Sequence, residues 1–258
     1  MALSNHFLFF LVALLFPLAN CEECIRYSCS GRNLTSREKF VQANVQNILT
    51  DLTRRTPMAG FAISVYGKEK ETVYGRASCR GDLSSSACNS CIKQLARELP
   101  KLCPEHSGAT RWYDDCWIHY DTEEFFGGYT FGDYMILWNN HNATEPEKFD
   151  STVRGVMAGL TEIAVAPGNK RFAAVKAQFD RDLIIYGLVQ CTLDLSPTAC
   201  SRCLSSSIEL YDEYCKFHEG CQVLFDSCVW RFEIYDFLSK PSKSDNYGGS
   251  KLIQKHGK

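Results

Sequence analysis

Two stretches of the chain, CRGDLSSSACNSC at residues 79–91 and CTLDLSPTACSRC at residues 191–203, carry the same cysteine spacing. Two more cysteines follow each stretch at matching distances, so five cysteines recur at one constant offset without insertion or deletion. They are Cys79, Cys88, Cys91, Cys103 and Cys116 in the first copy and Cys191, Cys200, Cys203, Cys215 and Cys228 in the second. A repeat of this length predicts two homologous domains, at about residues 24–130 and 131–240.

Both copies show the same order of elements around their cysteines. An amphipathic helix comes first, with apolar residues at three- and four-residue steps, and two runs rich in β-branched and aromatic residues follow it. A second helix carries the closely spaced cysteine pair, and an extended run ends the copy. The predicted ranges are 37–54, 59–66, 72–78, 87–99 and 110–120, then 149–163, 171–179, 183–190, 198–211 and 222–235. Helices mixed with antiparallel strands predict an α+β fold.

The amino-acid composition excludes some classes of protein and favours others. The 258 residues are 45% hydrophobic, which is enough for packed cores. The formal net charge of −2 disfavours nucleic acid as a partner, because phosphate binding needs clustered positive charge. Fourteen cysteines indicate either an oxidising compartment or a metal protein.

The N-terminal sequence separates these two classes. Residues 7–18 read FLFFLVALLFPL, an apolar run shorter than the roughly 20 residues of a membrane-spanning helix. Small and polar residues follow, so residues 1–20 are predicted to be a signal peptide, cleaved somewhere between positions 19 and 23. A buried N-terminal element is the alternative. No later segment is long and apolar enough for a membrane anchor, and the tail at 241–258 is polar. We therefore expect a secreted protein with disulfides rather than zinc.

The cysteine pattern resembles a known plant family. The paired C-x8-C-x2-C units, the YG before each of them and the continuations CRGDLS and CTLDLS resemble plant cysteine-rich repeat secretory proteins. Their repeat is the ginkbilobin-homologous domain, also found in the ectodomains of cysteine-rich receptor-like kinases. The likeness covers about residues 26–240. It implies a five-stranded antiparallel sheet packed with two helices in each of two tandem disulfide-rich domains.

The resemblance also implies a disulfide pairing. By matching positions, the pairs are Cys29–Cys103, Cys79–Cys88, Cys91–Cys116, Cys191–Cys200 and Cys203–Cys228. The second repeat has no cysteine where Cys29 would recur, around residues 138–141. We hypothesise that Cys215, which thereby loses its expected partner, pairs with Cys221. The pairing of Cys21 and Cys24 stays open.

Two other uses of the cysteines are conceivable. The C-x2-C spacing at 21/24, 88/91 and 200/203 is also that of a thiol redox protein. Zinc could be bound by Cys88, Cys91, Cys200 and Cys203. Both hypotheses are disfavoured, because two of the spacings belong to the repeated frame and the two candidate zinc pairs lie far apart in separate repeats. No metal and no cofactor is expected.

Polar and aromatic residues near the last cysteine of the first repeat offer further candidates. Acid–base catalysis could use a cluster of ionisable residues: Asp114, Asp115, His119, Asp121, Glu123 and Glu124. No nucleophile elbow, phosphate loop or metal-ligand triplet accompanies them, so we do not expect an enzyme. The four tryptophans, Trp112, Trp117, Trp138 and Trp230, could stack on sugar rings or fill the core.

Two surface sites follow from short motifs. Asn33 in NLT and Asn142 in NAT match the N-glycosylation acceptor pattern. Both precede the first helix of their repeat in polar surroundings, which suits modification of a secreted chain.

The resemblance implies a mannose-binding triad of Asn, Arg and Glu at fixed distances from the first and last cysteines. An amide, a guanidinium and a carboxylate can all hydrogen-bond vicinal hydroxyls. The first repeat has Ser30, Thr110 and Asp121 at these places, with Arg111 one position away from the arginine place. The second repeat has Gln222 and Glu233.

The candidate sugar-binding residues are thus Ser30, Arg111, Asp121 and Glu233, and neither repeat has the full set. A one-residue step in a strand points Arg111 to the opposite face, unless a bulge restores it. We therefore predict weak or absent mannose binding.

The sequence favours a secreted, non-enzymatic binding protein of the plant extracellular space (apoplast), acting in defence or cell-surface signalling. Its partner is an unidentified extracellular protein or glycan. The alternative is a mannose-type, antifungal, lectin-like protein, and a thiol redox protein is the third hypothesis.

Overall fold

The computed structural model of the protein describes residues 27–35, 39–129, 131–132, 134–238 and 252–255. The predicted signal peptide, Cys21 and Cys24 lie outside the described residues. So does most of the predicted tail.

The first repeat is an antiparallel sheet with two helices on one face. Its elements are β1 (Tyr27–Asn33), α1 (Lys39–Ala59), β2 (Phe61–Tyr66), β3 (Val73–Cys79), α2 (Ser85–Leu102), β4 (His106–Trp112) and β5 (Cys116–Asp121). The five strands lie in the order β1-β4-β5-β3-β2. The apolar stripe predicted for the first helix packs on this sheet, with Val45, Ile48 and Leu52 buried.

The second repeat has the same topology. Its elements are β6 (Tyr134–Trp138), α3 (Pro146–Val165), β7 (Phe172–Gln178), β8 (Ile184–Cys191), α4 (Pro197–Leu210), β9 (Cys221–Phe225) and β10 (Cys228–Glu233). A further strand, β11 (Leu252–Lys255), pairs in parallel with the edge strand β7. The second sheet therefore has six strands rather than the five expected, because a piece of the predicted polar tail joins it.

The last extended run of each repeat was predicted at residues 110–120 and 222–235. In the structure each run is a hairpin, β4–β5 and β9–β10. Asp114 and Asp115 lie at the first bend, and Asp226 and Ser227 lie at the second. Asp and Ser favour turns because their side chains hydrogen-bond nearby backbone or polar groups, as Ser227 Oγ does to Asp226 Oδ1 at 2.8 Å.

The glycine of each YG pair lets a helix approach the sheet closely. A Cβ atom on Gly75 would lie 2.3 Å from Ile48 Cγ2 of α1, and one on Gly187 would lie 2.9 Å from Leu160 Cδ1 of α3. Any larger residue would push the helix away from the sheet. The motif that marks the repeat is thus a packing requirement of its first helix.

Six disulfides join the elements of the two repeats. The bonded pairs are Cys29–Cys103, Cys79–Cys88, Cys91–Cys116, Cys191–Cys200, Cys203–Cys228 and Cys215–Cys221. Within α2, Cys88 bonds to β3 and Cys91 bonds to β5, so the closely spaced pair fastens the helix to two strands. No free cysteine occurs among the described residues.

The two repeats pack against each other through the faces of their sheets that carry no helices. Trp112 and Trp117 of the first repeat lie in an apolar cluster with residues of the second, including Leu188 and Leu224. The indole N–H of Trp112 donates to Phe225 O at 2.9 Å, and that of Trp117 donates to Asp226 O at 2.9 Å. These contacts make the pair of repeats one packed unit.

A buried ion cluster crosses the same interface. The guanidinium of Arg76 on β3 is fully buried and lies 3.0 Å from Asp194 and 2.8 Å from Asp226 of the second repeat. Arg76 also donates to Ser227 Oγ at 2.9 Å. Burial raises the pKa of Asp226, but the neighbouring His119 and the positive charge of Arg76 outweigh it and hold that pKa well below its usual range.

Candidate functional site

The first repeat brings two of the predicted sugar-binding residues together. Ser30 Oγ donates to Asp121 Oδ2 at 3.1 Å, across strands β1, β4 and β5. The backbone N–H of Thr122 donates to the other carboxylate oxygen at 2.6 Å. Gly108 makes this approach possible, since a Cβ atom there would lie 2.0 Å from Asp121 Oδ2. The carboxylate of Asp121 is therefore already held by its own repeat.

Arg111 does not join this pair. The pairing of β4 with β5 runs without a bulge from Ala109 to Trp112, so Arg111 points to the helix face of the sheet. There its guanidinium lies 2.7 Å from Glu98 and stacks over the ring of Tyr113. Burial and the hydrogen bond to Glu98 raise the pKa of Tyr113 to about 12. The inclusion of Arg111 among the candidate sugar ligands is thus corrected by strand register.

The second repeat contains a residue that the sequence analysis missed. In the strand register of the first repeat, Cys29 on β1 lies opposite Ala109 on β4. In the second repeat, Trp138 on β6 lies opposite Cys221 on β9, which is the counterpart of Ala109. Trp138 thus takes the place of Cys29, and Asn139 takes the place of Ser30. Asn139 Nδ2 donates to Glu233 Oε2 at 3.4 Å. Along the sequence, the distance from β1 to β6 is shorter than the constant distance between matching cysteines of the two repeats. Strand β6 also has no cysteine. Positions counted from the cysteines therefore did not locate Asn139.

The carboxylate of the second repeat is closed to solvent. Glu233 is 5% exposed and Gln222 is 3% exposed. Arg231 Nε donates to Glu233 Oε1 at 3.0 Å, and its guanidinium lies over the ring of Phe237. Burial raises the pKa of the Glu233 carboxyl, with Arg231 opposing the shift. An amide and a carboxylate stand at two places of the triad here, but the carboxylate is shielded from a sugar.

The acid–base candidates are tied into structural contacts. His119 lies 3.0 Å from Asp226 of the second repeat, and its ring stacks on Phe125 at 3.9 Å. Asp115 lies 3.2 Å from Arg80, and Asp114 lies 3.6 Å from Arg231. Two of these three contacts cross between the repeats.

The remaining acidic candidates lie at the rim of the first repeat. Glu123 lines an open groove with Gly31, Arg32, Lys70 and Asp121. Glu124 is exposed. Within the part of the chain that the structure describes, no group of three or more His, Cys, Asp or Glu side chains could hold a metal ion. Over the same residues, no helix is long and apolar enough to cross a membrane.

Three of the four tryptophans are buried. Trp112 and Trp117 lie between the repeats and Trp230 lies in the core of the second repeat, all with exposed fractions of 1–2%. Stacking on a sugar is therefore the wrong interpretation for these three. Trp138 is different, because 46% of its surface is exposed.

The two glycosylation motifs lie where a modifying enzyme could reach them. Asn33 ends strand β1 and Asn142 precedes helix α3, and both side chains are exposed. After expression in plant cells, we expect peptide-N-glycosidase to lower the mass of the protein by two glycans. Asn33→Gln and Asn142→Gln should each remove one glycan, whereas Asn140→Gln, an exposed residue outside any motif, should remove none. Intact-mass spectrometry measures this, and an unchanged mass after treatment would contradict both sites.

Two α+β repeats, fastened by disulfides and packed through their helix-free faces, define a tandem disulfide-rich module. The salt stress response/antifungal family matches the chain twice, at residues 20–123 and 138–235. The chain therefore belongs to the plant cysteine-rich repeat secretory proteins, which are built from tandem ginkbilobin-homologous (DUF26) domains.

Two secreted-type relatives match this chain along nearly their whole length. The chain is 33% identical to cysteine-rich repeat secretory protein 55 of Arabidopsis thaliana, covering 88% of each chain. It is 30% identical to an antimicrobial ginkbilobin-2-like protein of Castanea crenata, covering 89% of this chain and 95% of that one. Among solved structures, it is similar to the tandem DUF26 ectodomain of the Arabidopsis receptor-like protein PDLP8. The TM-score is 0.68 at 22% identity, over 83% of this chain and all of that one.

Proposed function

We propose that the protein is a secreted, non-enzymatic binding protein of the plant apoplast that acts in defence or cell-surface signalling. The observation that carries this proposal is the packed interface between the repeats. It holds His119 and Asp114, two of the acid–base candidates, in contacts with the other repeat. The same groups are then structural rather than free for proton transfer, and the outer edges of the two sheets remain for recognition.

The relatives support the same setting. One is named a secretory protein, one is named antimicrobial, and the similar structure is an ectodomain of a receptor-like protein. An extracellular location also agrees with the six disulfides, since such bridges persist in oxidising compartments.

The proposal is tested by expressing the full chain with a C-terminal tag in leaf cells. We expect the protein in the apoplastic wash fluid, with a new N-terminus between residues 20 and 24. Recovery only in the microsomal pellet after a carbonate wash would contradict secretion. The purified protein, coupled to beads, should then enrich partners from apoplastic fluid. The same bait, reduced and alkylated, is the control, and equal enrichment by both baits would contradict a fold-dependent binding role.

A mannose-type lectin is the second candidate function, and the geometry supports it only in part. The second repeat has an amide and a carboxylate in contact, Asn139 and Glu233, but the carboxylate is buried and Gln222 stands in place of the arginine. The first repeat has Ser30 at the asparagine place and Thr110 at the arginine place of the triad.

Titration calorimetry with mannose and mannobiose should therefore show no saturable heat, because neither repeat has an amide, a guanidinium and an accessible carboxylate together at the triad positions. A mannose-specific lectin run alongside is the positive control. A dissociation constant in the micromolar range would overturn this prediction and favour the lectin function.

A further inference from the structure

Four exposed aromatic side chains follow one another along the outer edge of the second sheet. They are Phe131, Tyr134, Trp138 and Tyr214, with exposed fractions of 56%, 39%, 46% and 38%. Tyr134 and Trp138 lie on one face of β6, the edge strand of its sheet, and Tyr214 lies in the π-helical segment Tyr211–Cys215 that follows α4. We call these four residues the aromatic row.

The altered disulfide of the second repeat creates this row. In the first repeat, the equivalent position on the edge strand is Cys29, which bonds to Cys103. In the second, Cys215 bonds instead to Cys221, so the edge-strand position is free for Trp138. The bridge begins at the residue next to Tyr214 and ends at the residue that pairs with Trp138, so it holds the two rings side by side.

The rings form two contacting pairs along this edge. The ring centroids of Trp138 and Tyr214 lie 6.3 Å apart with their planes at 31°. Those of Phe131 and Tyr134 lie 5.4 Å apart, and both rings rest on the buried ring of Phe225 at 5.7 and 5.8 Å. The hydrogen bond with Glu213 raises the pKa of Tyr214, and the neighbouring Tyr134 adds to the rise.

The chemistry of the row matches a sugar chain. Aromatic faces pack against the C–H faces of pyranose rings, and two phenol hydroxyls with the Glu213 carboxylate can hydrogen-bond the hydroxyls at the rim. Glu213 places a carboxylate beside the row, whereas the nearby cations are engaged elsewhere, since Arg154 pairs with Asp212 and Lys216 lies over the ring of Phe217. This charge disfavours acidic polymers such as polygalacturonate.

We propose that the aromatic row binds a neutral pyranose chain, with Trp138 and Tyr214 as the stacking platform. The site is separate from the mannose-type positions, because it is exposed on the helix side of the edge strand while Glu233 is buried on the other face. The inference depends on the proposed extracellular role only for the place where the protein would meet such a sugar chain. Binding to the purified protein is independent of secretion, so the two proposals can fail separately.

Tryptophan fluorescence tests the site directly, because Trp138 is the exposed tryptophan and the other three are 1–2% exposed. Acrylamide should quench Trp138 selectively in the free protein. Cellohexaose, as the neutral probe, should protect Trp138 from acrylamide and shift its emission to shorter wavelength in a saturable way. An oligogalacturonate of the same length should give no protection.

The variant Tyr214→Ala should weaken cellohexaose binding about tenfold, the loss expected for one stacking contact. Tyr66→Ala, which removes a tyrosine of similar exposure (41%) on strand β2, is the matched control and should bind normally. Near-ultraviolet circular dichroism of each variant confirms that the fold is intact.

Several results would overturn the inference. These are no protection by cellohexaose, equal protection by the oligogalacturonate, or unchanged binding by a folded Tyr214→Ala variant. Protection of Trp138 that rises with protein concentration in the absence of sugar would overturn it as well. That result would assign the aromatic row to contact between copies of the chain.

Discussion

Reduction of the disulfides is expected to unfold both repeats at temperatures where the oxidised protein is folded. In the chain-entropy description, the six loops, closed over separations of 6 to 74 residues, together contribute roughly 19 kcal/mol. Domains of ordinary size are stable by only about 5–15 kcal/mol in total. The free energy of stabilisation lost with the bridges therefore exceeds the total free energy of unfolding of an ordinary domain.

Circular dichroism with and without strong reductant measures this effect. The matched control is the oxidised protein with the same concentration of a non-thiol, non-reducing additive. A reduced, alkylated protein that kept the native thermal transition would contradict the prediction.

The contributions of individual disulfides to the free energy of unfolding should differ with the length of the chain loop that each one closes. Replacing Cys29 and Cys103 by serine removes a bridge of separation 74 and should cost about 4.5 kcal/mol. Replacing Cys215 and Cys221, at separation 6, should cost about 2 kcal/mol. Urea unfolding of the two double variants compares them directly, and equal losses would show that loop length does not govern these bridges.

Substitution of Arg76 by alanine is expected to destabilise the packing of the two repeats by about 3–5 kcal/mol. Its guanidinium is fully buried and is shared between Asp194 and Asp226 of the other repeat. Without it, two carboxylates stay at the interface with no guanidinium between them. We expect the single cooperative unfolding transition of the native protein to split into two, one for each repeat.

Scanning calorimetry resolves the two transitions. Arg54→Ala is the matched control, because Arg54 also pairs with an aspartate, Asp51, at 2.9 Å, but is 77% exposed. Exposed helix pairs contribute only about 0.3–0.5 kcal/mol, so this variant should unfold almost as the native protein does. Equal losses for the two variants would contradict a special role for the buried cluster.

The repeat could be predicted because its cysteines lie close together in sequence and the same spacing occurs twice in the chain. The positions of Cys88 and Cys91 on α2, and of apolar residues such as Ile48 on α1, follow from helix period and spacing alone. The α+β class and the arrangement of sheet and helices are confirmed by the structure and by its similarity to tandem DUF26 ectodomains. The extended runs at 110–120 and 222–235 were predicted without their turns, because the turns at Asp114 and Asp226 are short and the flanking residues are typical of strands.

The candidate site was harder to predict, since a one-residue difference in register moves a side chain to the other face of a sheet. The alternation of side chains along strand β4 correctly predicted that Arg111 points to the opposite face from Ser30 and Asp121. Counting from cysteines failed at Asn139, because the strand that carries it does not follow the cysteine offset and its cysteine is replaced by Trp138.

The sequence by itself determined the family, the two repeats and the elements of each, because these depend on spacing within a single repeat. Only the tertiary structure decided which polar groups are available. Arg76 and Asp226 lie in different repeats, far apart in sequence, yet they meet in a buried cluster because two sheet faces pack together. The same packing buries Trp112 and Trp117. Trp138 stays exposed on an edge strand, since no element of the described chain pairs with the outer side of β6.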